Sequence, residues 1–303
     1  MKNPIPYQNP ADLRRVQTAL MHWTAEAGDC QYPHKGDVRH RLFNAGRKYT
    51  PQEILHYWLD DNDNIIAFVS LHPKLEFFDL CVAPDYRFTD FHTDAFRWSE
   101  KNLITFAKRH DFEMTKIYAE NFGCDVRYDA LLTAEGYTHH EHAMTHTEHD
   151  LQNLPVAPLP EGFHFYDATL DNAEKLADVH NHSFSNQWDA ESYGNVFAAP
   201  LMEHEIVVVA PDGRFAAFTN VWLDDVNHSI LFEPVGTHSD FRRRGIGKVL
   251  MVYVMKRMQS EHGIQRALVG HEPADKNPAS GALYASIGFR PEYQIHDYVK
   301  KLS

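Results

Sequence analysis

The sequence has few of the features that would place the protein in a membrane or in a disulfide-rich scaffold. Its longest apolar run, residues 249–255, is far shorter than the roughly 18 residues that a membrane-spanning helix needs. The N-terminus shows no apolar stretch followed by a small-residue cleavage site, so we predict no signal peptide. The three cysteines, Cys30, Cys81 and Cys124, lack CxxC spacing and are too few for a disulfide framework. These absences predict a cytoplasmic protein with reduced thiols and no membrane partner.

Basic residues are scarce as well. The 29 Lys and Arg residues stand against 42 Asp and Glu, which gives a formal net charge of -13. The surface field of such a protein repels phosphate backbones and attracts cations such as amines. We therefore expect no nucleic-acid partner. The sequence gives no indication of the oligomeric state.

The length of 303 residues predicts two domains, at a typical size of about 150 residues each. Residues 151–161 contain three prolines and no sustained periodicity, which predicts a linker between domains at 1–150 and 162–303. The second domain has the predicted order β, α, β-β-β, α, β, α, β, with residues 294–299 as the last strand. The fold class is therefore α/β in the broad sense, an α+β arrangement in which each domain has a mixed, largely antiparallel sheet flanked by helices.

The two halves also show signs of duplication. At an offset of 155, residues 82–87 align with residues 237–242 and match an Asp, an aromatic residue and an Arg. At an offset of 152, residues 131–137 align with residues 283–289 and match a Leu, a Gly and an aromatic residue. The offsets differ by only the length of a short loop insertion, so we predict that the domains are tandem copies.

The segment with the clearest chemical signal is residues 237–248, which lie between a predicted strand and a predicted helix. Gly245 and Gly247 leave the backbone uncovered, so that consecutive N–H groups can converge on an anion at the positive end of the helix beginning near Lys248. This pattern predicts a pyrophosphate-binding loop. It fits neither GxGxxG nor a P-loop, and the alternative interpretation is a solvated basic turn.

A second motif follows in residues 277–289. Together the two motifs resemble the GNAT superfamily of acyl-CoA-dependent N-acyltransferases, and the resemblance covers residues 162–303. The family pattern R/Q-x-x-G-x-G/A is matched by Arg242, Gly245 and Gly247, and the pattern N-x-x-A-x-x-L-Y-x-x-x-G-F is matched by Asn277, Leu283, Tyr284, Gly288 and Phe289. Ser280 replaces the usual alanine.

The resemblance implies a site for acetyl-CoA as co-substrate, with no metal. The loop amides would hold the pyrophosphate, and the end of the preceding strand would pair with the pantetheine arm. The donor-binding residues implied in this way are Val235, Gly236, Thr237, Arg242, Arg243, Arg244, Gly245, Ile246, Gly247, Lys248, Asn277 and Ser280.

The resemblance also implies that Tyr284 is the general acid. A thiolate leaving group has a pKa of roughly 8.5 against about 10 for a phenol, so a positioned tyrosine can protonate it. Glu233, a charged residue in an otherwise apolar strand, is the candidate base, acting directly or through water. The alternatives are a core tyrosine and an edge carboxylate beside Pro234. His228 and His238 are weaker base candidates.

The first half lacks these residues at the aligned positions. Asp90 and His92 replace the two glycines, and a carboxylate there would repel a pyrophosphate. Leu132, Phe78 and Asp125 stand where Tyr284, Glu233 and Asn277 stand in the second half. We therefore predict a degenerate GNAT copy that shapes or covers the substrate cleft of the other half.

One further cluster is rich in histidine. Residues 139–149 contain five histidines, of which His140, His142 and His146 fall on one face of a predicted strand. They are candidate metal ligands, but a polar strand face is the commoner explanation, and we expect no metal.

The predicted reaction is direct transfer of an acetyl group to a primary amine of a small cationic acceptor. The acidic charge and the segment at Asp189–Tyr193 favour a cation, and Trp188, Tyr193 and Phe197 either enclose the acceptor or pack the helix. Two alternatives stay open. One is a non-catalytic acyl-CoA sensor or interaction protein, and the other is a tandem transferase of a different acyl or aminoacyl group.

Overall fold

The computed structural model describes residues 3–302, which divide into two compact units. Unit 1 comprises the chain up to Thr145 together with the residues from Tyr293 onward, and unit 2 comprises His146–Glu292. Among the described residues, no helix combines the length and apolar character needed to span a bilayer. The predicted mixed α/β fold, with sheets flanked by helices, is confirmed.

Unit 1 alternates helices and strands. Its helices are α1 (Pro10–Ala27), α2 (Lys35–His40), α3 (Pro51–Ile54), α4 (Asp90–Arg109) and α5 (Val126–Ala134). Its strands are β1 (Ile5–Pro6), β2 (Leu55–Leu59), β3 (Ile65–His72), β4 (Phe77–Val82), β5 (Lys116–Phe122), the first part of β6 (Thr138–His149) and most of β12 (Arg290–Lys301).

Unit 2 contains the remaining elements. Its helices are α6 (Ala173–Phe184), α7 (Ala190–Ala198), α8 (Ile246–His262) and α9 (Pro278–Ile287). Its strands are β7 (His164–Asp167), β8 (His204–Val209), β9 (Phe215–Asp224), β10 (Ser229–Thr237) and β11 (Arg266–His271), next to the last part of β6.

The last strand of the chain belongs to the sheet of unit 1. Strand β12 pairs antiparallel with β5, from Ile295 opposite Phe122 to Lys301 opposite Lys116. The prediction that residues 294–299 close the sheet of the second half was wrong. An alternating pattern identifies a strand but does not specify which edge it pairs with. The compact units therefore divide differently from the predicted domains, and residues 151–161, the predicted linker, fall within unit 2.

The sheet of unit 2 opens between β10 and β11. These strands are parallel neighbours only from Ser229–Arg266 to Leu231–Leu268. Beyond Leu231, β10 stays paired with β9, with a register shift between Phe232 and Val235. Parallel strands that separate in this way leave unpaired backbone on their facing edges, and the candidate site lies at this opening.

Apolar residues cover both faces of the unit 2 sheet, which explains the near-continuous apolar run of β8. On one face, Ile206 and Val208 pack in a cluster with residues of α8 such as Leu250. On the other face, Val207 and Val209 pack in a cluster with residues of α6 and α7. Helix α8 ends at Gly263, whose φ of 66° is in the left-handed region that glycine adopts readily.

Two of the three cysteines form a bond. Cys30 and Cys124, with Cα atoms 6.0 Å apart, are joined as a disulfide in unit 1, whereas Cys81 is free and buried. The expectation of reduced thiols was therefore wrong for this pair. The two residues are 94 positions apart, so sequence spacing gave no sign of their proximity. The pair removes the cysteine-based argument for a reducing compartment.

Two buried histidines make the stability of unit 1 depend on pH. Burial and a neighbouring arginine lower the pKa of His72 and that of His92 to about 3. Both side chains are neutral in the folded unit, whereas in the unfolded chain they bind a proton below about pH 6.5. The contribution of these histidines to the free energy of unfolding is therefore fully present above about pH 6.5. Below that pH it decreases by about 1.4 kcal/mol per pH unit for each histidine.

Urea unfolding at pH 7.5 and at pH 5 should show this loss, and the variant His92→Gln should show a shallower pH dependence than the unmodified protein. Burial and acidic neighbours raise the pKa of Asp37 to about 6, so this residue changes the stability in the opposite direction below pH 6. Asp37 is present in both proteins, so the comparison with the variant isolates the effect of the histidine. Equal pH slopes in the two proteins would contradict the prediction.

Candidate active site

A cavity of about 610 Å³ lies at the opening between β10 and β11 in unit 2. Its wall is formed by the end of β10, the loop before α8, and α9. All the predicted donor-binding residues except Arg244 line this cavity, as does Tyr284. The guanidinium of Arg244 instead lies 5.5 Å from the centre of the Phe241 ring. Glu233 is not part of the cavity wall.

The loop before α8 has a backbone suited to an anion. Arg243 and Gly245 have positive φ values of 62° and 75°, and Gly245 is the N-cap of the 17-residue helix α8. Backbone N–H groups in such a turn point in one direction and add to the positive end of the helix dipole. A Cβ atom on Gly247 would lie 3.0 Å from Thr237 Oγ1 and 3.5 Å from Leu283 Cδ2, so this position has little room for a side chain.

The basic side chains of the loop have structural partners. Arg242 donates from Nε to the carbonyl of Thr237 (3.2 Å) and from Nη2 to the carbonyl of Ser183 (2.7 Å). Lys248 Nζ donates to the carbonyl of Ser286 (2.6 Å). Arg242 therefore fixes the loop to the end of α6, and Lys248 fixes the start of α8 to α9. The backbone amides supply most of the directed donors for an anion.

Tyr284 lies on α9 and combines a core position with access to the cavity. The side chain is 6% exposed and its ring centre lies 5.9 Å from that of Phe289 and 6.1 Å from that of His271. Burial, and then the negative charge of Glu233, raise the pKa of Tyr284 well above its usual value. The phenol is therefore protonated at any ordinary pH, which a proton donor requires.

Glu233 lies on β10 where the register shifts against β9. Its carbonyl accepts a hydrogen bond from Trp222 Nε1 (3.0 Å), and its carboxylate is close enough to Tyr284 to affect the pKa of that phenol. Proton removal by Glu233 stays a prediction.

The two weaker base candidates are placed elsewhere. His228 has a φ of 50° in the turn before β10, at the opposite end of that strand from the cavity. His238 is buried, and its Nδ1 accepts the N–H of Asp240 (3.1 Å) as the cap of a short turn. Neither position favours proton transfer at the cavity.

Sequence reasoning missed the end of α6. Ser183 and Phe184 line the cavity, and Phe184 is 41% exposed. Gly236 has a packing reason to be glycine, because a Cβ there would lie 2.3 Å from the Phe218 ring and 2.7 Å from Ser183 Oγ. The amphipathic pattern predicts the helix, but it does not show which loop the helix end approaches.

The helix predicted to contribute to the acceptor pocket is capped by Asp189, whose carboxylate accepts the N–H of Ser192 (2.6 Å). Trp188 and Phe197 are half-buried against the core cluster that includes Tyr193, so all three aromatic residues pack the helix. Tyr193 donates its hydroxyl to Glu205 (2.9 Å), which also accepts from Asn220 (2.7 Å). Glu205 is a buried carboxylate that the sequence analysis did not identify.

Unit 1 has a cavity at the matching position, but its volume is only about 40 Å³. His92, aligned with Gly247, accepts the backbone N–H of Phe88 on its Nδ1 (3.0 Å) and stacks on the ring of Tyr128. Arg87 forms an ion pair with Asp125, the residue aligned with Asn277. In unit 1, side chains thus fill the space that an anion would need. The N–H of Phe88, a loop donor that an anion could use, is already bonded to His92.

Comparison with known proteins agrees with this geometry. Residues 173–289 match the profile of the Acetyltransferase (GNAT) family. No curated protein matches the sequence. A solved tandem GNAT protein from the clavulanic acid biosynthesis pathway is similar in structure, with a TM-score of 0.67, 16% identity, and coverage of 99% of this chain and 98% of that chain.

Two further structures support the same fold. A GCN5-related N-acetyltransferase from Sphaerobacter thermophilus has a TM-score of 0.62 and 14% identity, covering 99% of this chain and 95% of the other. A GNAT-family acetyltransferase from Colwellia psychrerythraea has a TM-score of 0.60 and 14% identity, covering 99% and 100%. Residues 173–289 are therefore similar to the Acetyltransferase (GNAT) family, and the chain is similar in fold, over nearly its whole length, to solved GNAT proteins that include a tandem one.

Proposed function

We propose that unit 2 transfers an acetyl group from acetyl-CoA to a primary amine of a small cationic acceptor. The observation that carries this proposal is the convergence of the glycine loop, the free edge of β10 and Tyr284 on one cavity of about 610 Å³. A GNAT fold alone supports acyl transfer in general. The donor and the acceptor follow from the chemistry of the cavity and its surroundings.

The residues of the cavity fit acetyl-CoA. Amides of residues 243–248 are arranged for a pyrophosphate at the start of α8. The edge of β10 from Val235 to Thr237 faces the opening after its pairing with β11 ends at Leu231, so it can bind an extended amide chain such as pantetheine. When bound, acetyl-CoA supplies an activated acyl group as a thioester.

The residues of the chain supply proton transfer. An amine with a pKa of roughly 10.4 is mostly protonated at neutral pH and needs a base before it can attack a carbonyl. Glu233 accepts that proton, directly or through water, and the neutral amine then attacks the thioester carbonyl to form the C–N bond. Tyr284 donates its phenolic proton to the sulfur as the C–S bond breaks. The second nitrogen proton, lost as the intermediate collapses, restores the phenol of Tyr284, and Glu233 returns its proton to solvent, so that the products are the amide, the CoA thiol and one released proton.

The proposed class of acceptor follows from the negative charge of the protein. The chain has a net charge of -13, and Glu233 and Glu205 place carboxylates on two strands of the unit 2 sheet, β10 and β8. Such a field concentrates cations and disfavours anions. A polyamine, an aminoglycoside-like amine or an amino-acid-derived amine has the required charge and a primary amino group.

A thiol-release assay with acetyl-CoA and matched amines should show this preference. We expect turnover to decrease from diamines and polyamines to neutral amines and then to amines that carry a carboxylate. Reactions without an amine, and with propionyl-CoA as donor, serve as controls for hydrolysis and acyl selectivity. A preference for acidic acceptors would contradict the charge argument. CoA binding without turnover of any amine would contradict the enzyme assignment and favour an acyl-CoA sensor.

A further inference from the structure

Unit 1 contains a second cavity that the sequence analysis did not predict. Its volume is about 490 Å³, within the range of small-molecule sites, and it adjoins the small cavity described above, because Arg41 and Glu120 line both. Phe77 on β4 and Tyr118 on β5 are register partners in the sheet, and both belong to the wall. The cavity therefore has the size and the aromatic surface that a small organic ligand needs.

The wall of this cavity, which we call the acidic cavity, is rich in carboxylates. Glu120, Glu141 and Asp297 belong to it, and Arg41 is the only lysine or arginine among the described residues that line it. The guanidinium of Arg41 is paired with Asp79 (2.6 Å) and with Glu120 (3.1 Å), so its charge is neutralised within the protein. An excess of carboxylates beside aromatic rings favours a cationic group of a ligand.

A smaller cavity of about 180 Å³, which we call the basic cavity, lies next to the acidic one. Three residues line both cavities: Ala45, His72 and Leu75. Arg47, Lys48 and Lys74 belong to the wall of the basic cavity, and no acidic residue of the described chain does. This wall favours an anionic group of a ligand.

The two lysines of the basic cavity have no partner within the protein. Lys48 and Lys74 are exposed, and neither ammonium group forms an ion pair or a hydrogen bond with any residue that the structure describes. Arg47 donates to the carbonyl of Asn44 (2.8 Å), a neutral group, and so keeps its net charge. These three cations indicate a ligand that brings a negative charge of its own.

The surface that the two cavities share is uncharged. Ala45 and Leu75 are apolar, and Leu75 is 59% exposed. Burial, and then the charge of Arg41, lower the pKa of His72 to about 3, so its imidazole is uncharged at pH 7. A negative wall and a positive wall are thus separated by a neutral surface, and a ligand with two opposite charges on a short neutral chain is complementary to this arrangement.

The distance between the charged walls limits the length of such a ligand. Lys74 belongs to the basic cavity, Leu75 to both cavities and Phe77 to the acidic cavity, so three residue steps connect the two walls. Three steps span at most about 10 Å, and Glu76, with a φ of 52°, bends this stretch. The charged ends of a dipeptide are roughly 7 Å apart, whereas those of a single amino acid are attached to one carbon atom. A dipeptide therefore fits the span better than an amino acid.

We propose that unit 1 binds a small zwitterion of the dipeptide class across the two cavities. Its carboxylate lies near Lys48 and Lys74, its ammonium group lies near Glu141 and Asp297, and an apolar N-terminal side chain contacts the aromatic rings of the acidic cavity. A simple cation or a simple anion would satisfy only one of the two walls. The proposal concerns binding alone and does not rest on acyl transfer in unit 2.

The test is calorimetry on the full chain without acetyl-CoA, with phenylalanyl-alanine as the probe. We expect one saturable site per chain. The C-terminal amide of the dipeptide lacks the carboxylate, and its N-acetyl form lacks the ammonium group, so each should bind at least tenfold more weakly. Phenylalanine alone should also bind at least tenfold more weakly, because it is too short to reach both walls.

Two double variants connect each charge of the dipeptide to its wall. Lys48→Gln with Lys74→Gln should weaken binding of the dipeptide at least tenfold without altering binding of the C-terminal amide. Glu141→Gln with Asp297→Asn should do the same without altering binding of the N-acetyl form. A purely structural effect would weaken all the probes alike, so the selective pattern identifies direct contacts. Asp297→Asn alone serves as a second variant if the acidic double variant folds poorly, as judged by circular dichroism.

Lys101→Gln and Asp94→Asn are the matched controls. Each removes one charge from an exposed position of α4 outside both cavity walls, and each should bind the dipeptide as the unmodified chain does. The absence of saturable dipeptide binding would overturn the proposal, as would equal binding of the dipeptide and its amide or N-acetyl form. Full dipeptide affinity in both double variants would also overturn it. Because the measurement involves neither acetyl-CoA nor turnover, its failure is distinct from failure of the proposed function.

Discussion

Replacing Gly247 by glutamate should abolish CoA binding. The new side chain would begin 3.0 Å from Thr237 Oγ1, in a wall of the cavity, and it would bring a negative charge to the turn whose amides face the pyrophosphate. A carboxylate beside the bound pyrophosphate would repel it. We expect calorimetry to show a loss of CoA affinity of roughly 100-fold or more, equivalent to about 2.7 kcal/mol.

The matched control lies in the other unit. Asp90 aligns with Gly245 in the loop of unit 1, where the cavity is already filled by side chains, so Asp90→Ala should leave CoA binding unchanged. Circular dichroism should first show that both variants are folded, because position 247 has little room for a side chain. Unaltered CoA affinity in Gly247→Glu would refute the donor site, and a loss in Asp90→Ala would show that unit 1 takes part in donor binding.

Local sequence patterns predicted the loop and the helices of the site well because the relevant physics is local. A glycine near the start of a helix, a strand before it and a tyrosine on the next helix are specified by neighbouring residues. Gly245 with positive φ at the N-cap of α8 and Tyr284 beside the same cavity are therefore where the motifs predicted them. Arg244 is the one member of the predicted donor-binding set that does not line the cavity, and its part in donor binding stays a prediction.

Features that depend on distant contacts were not predictable. The partner of β12, the Cys30–Cys124 bond and the approach of Phe184 to the cavity each join segments that are far apart in the sequence. The alignment of the two halves predicted that unit 1 lacks the glycines. It did not predict the hydrogen bond from the loop amide to His92, because that bond depends on the direction of a side chain.

The largest kinetic effect should come from Tyr284→Phe. Removal of one hydroxyl leaves the loop of residues 242–248 and the edge of β10 intact, so CoA affinity should be nearly unchanged. Without the phenolic proton, the thiolate must leave unprotonated, and kcat should fall by roughly 100-fold, the lower range for general acid catalysis. Because burial and Glu233 raise the pKa of Tyr284, the unmodified enzyme should keep its activity through pH 9, where an ordinary phenol begins to ionise.

Tyr253→Phe is the matched control. Tyr253 lies on α8 of the same unit and stacks on Phe165 with ring centres 3.7 Å apart, outside the cavity wall, so loss of its hydroxyl should leave kcat unchanged. Single-turnover measurements separate the chemical step from product release. Full activity of Tyr284→Phe in the chemical step would show that the tyrosine is only a core residue. An equal loss in both variants would indicate general destabilisation. An acylated cysteine found by mass spectrometry would contradict direct attack and favour a two-step route.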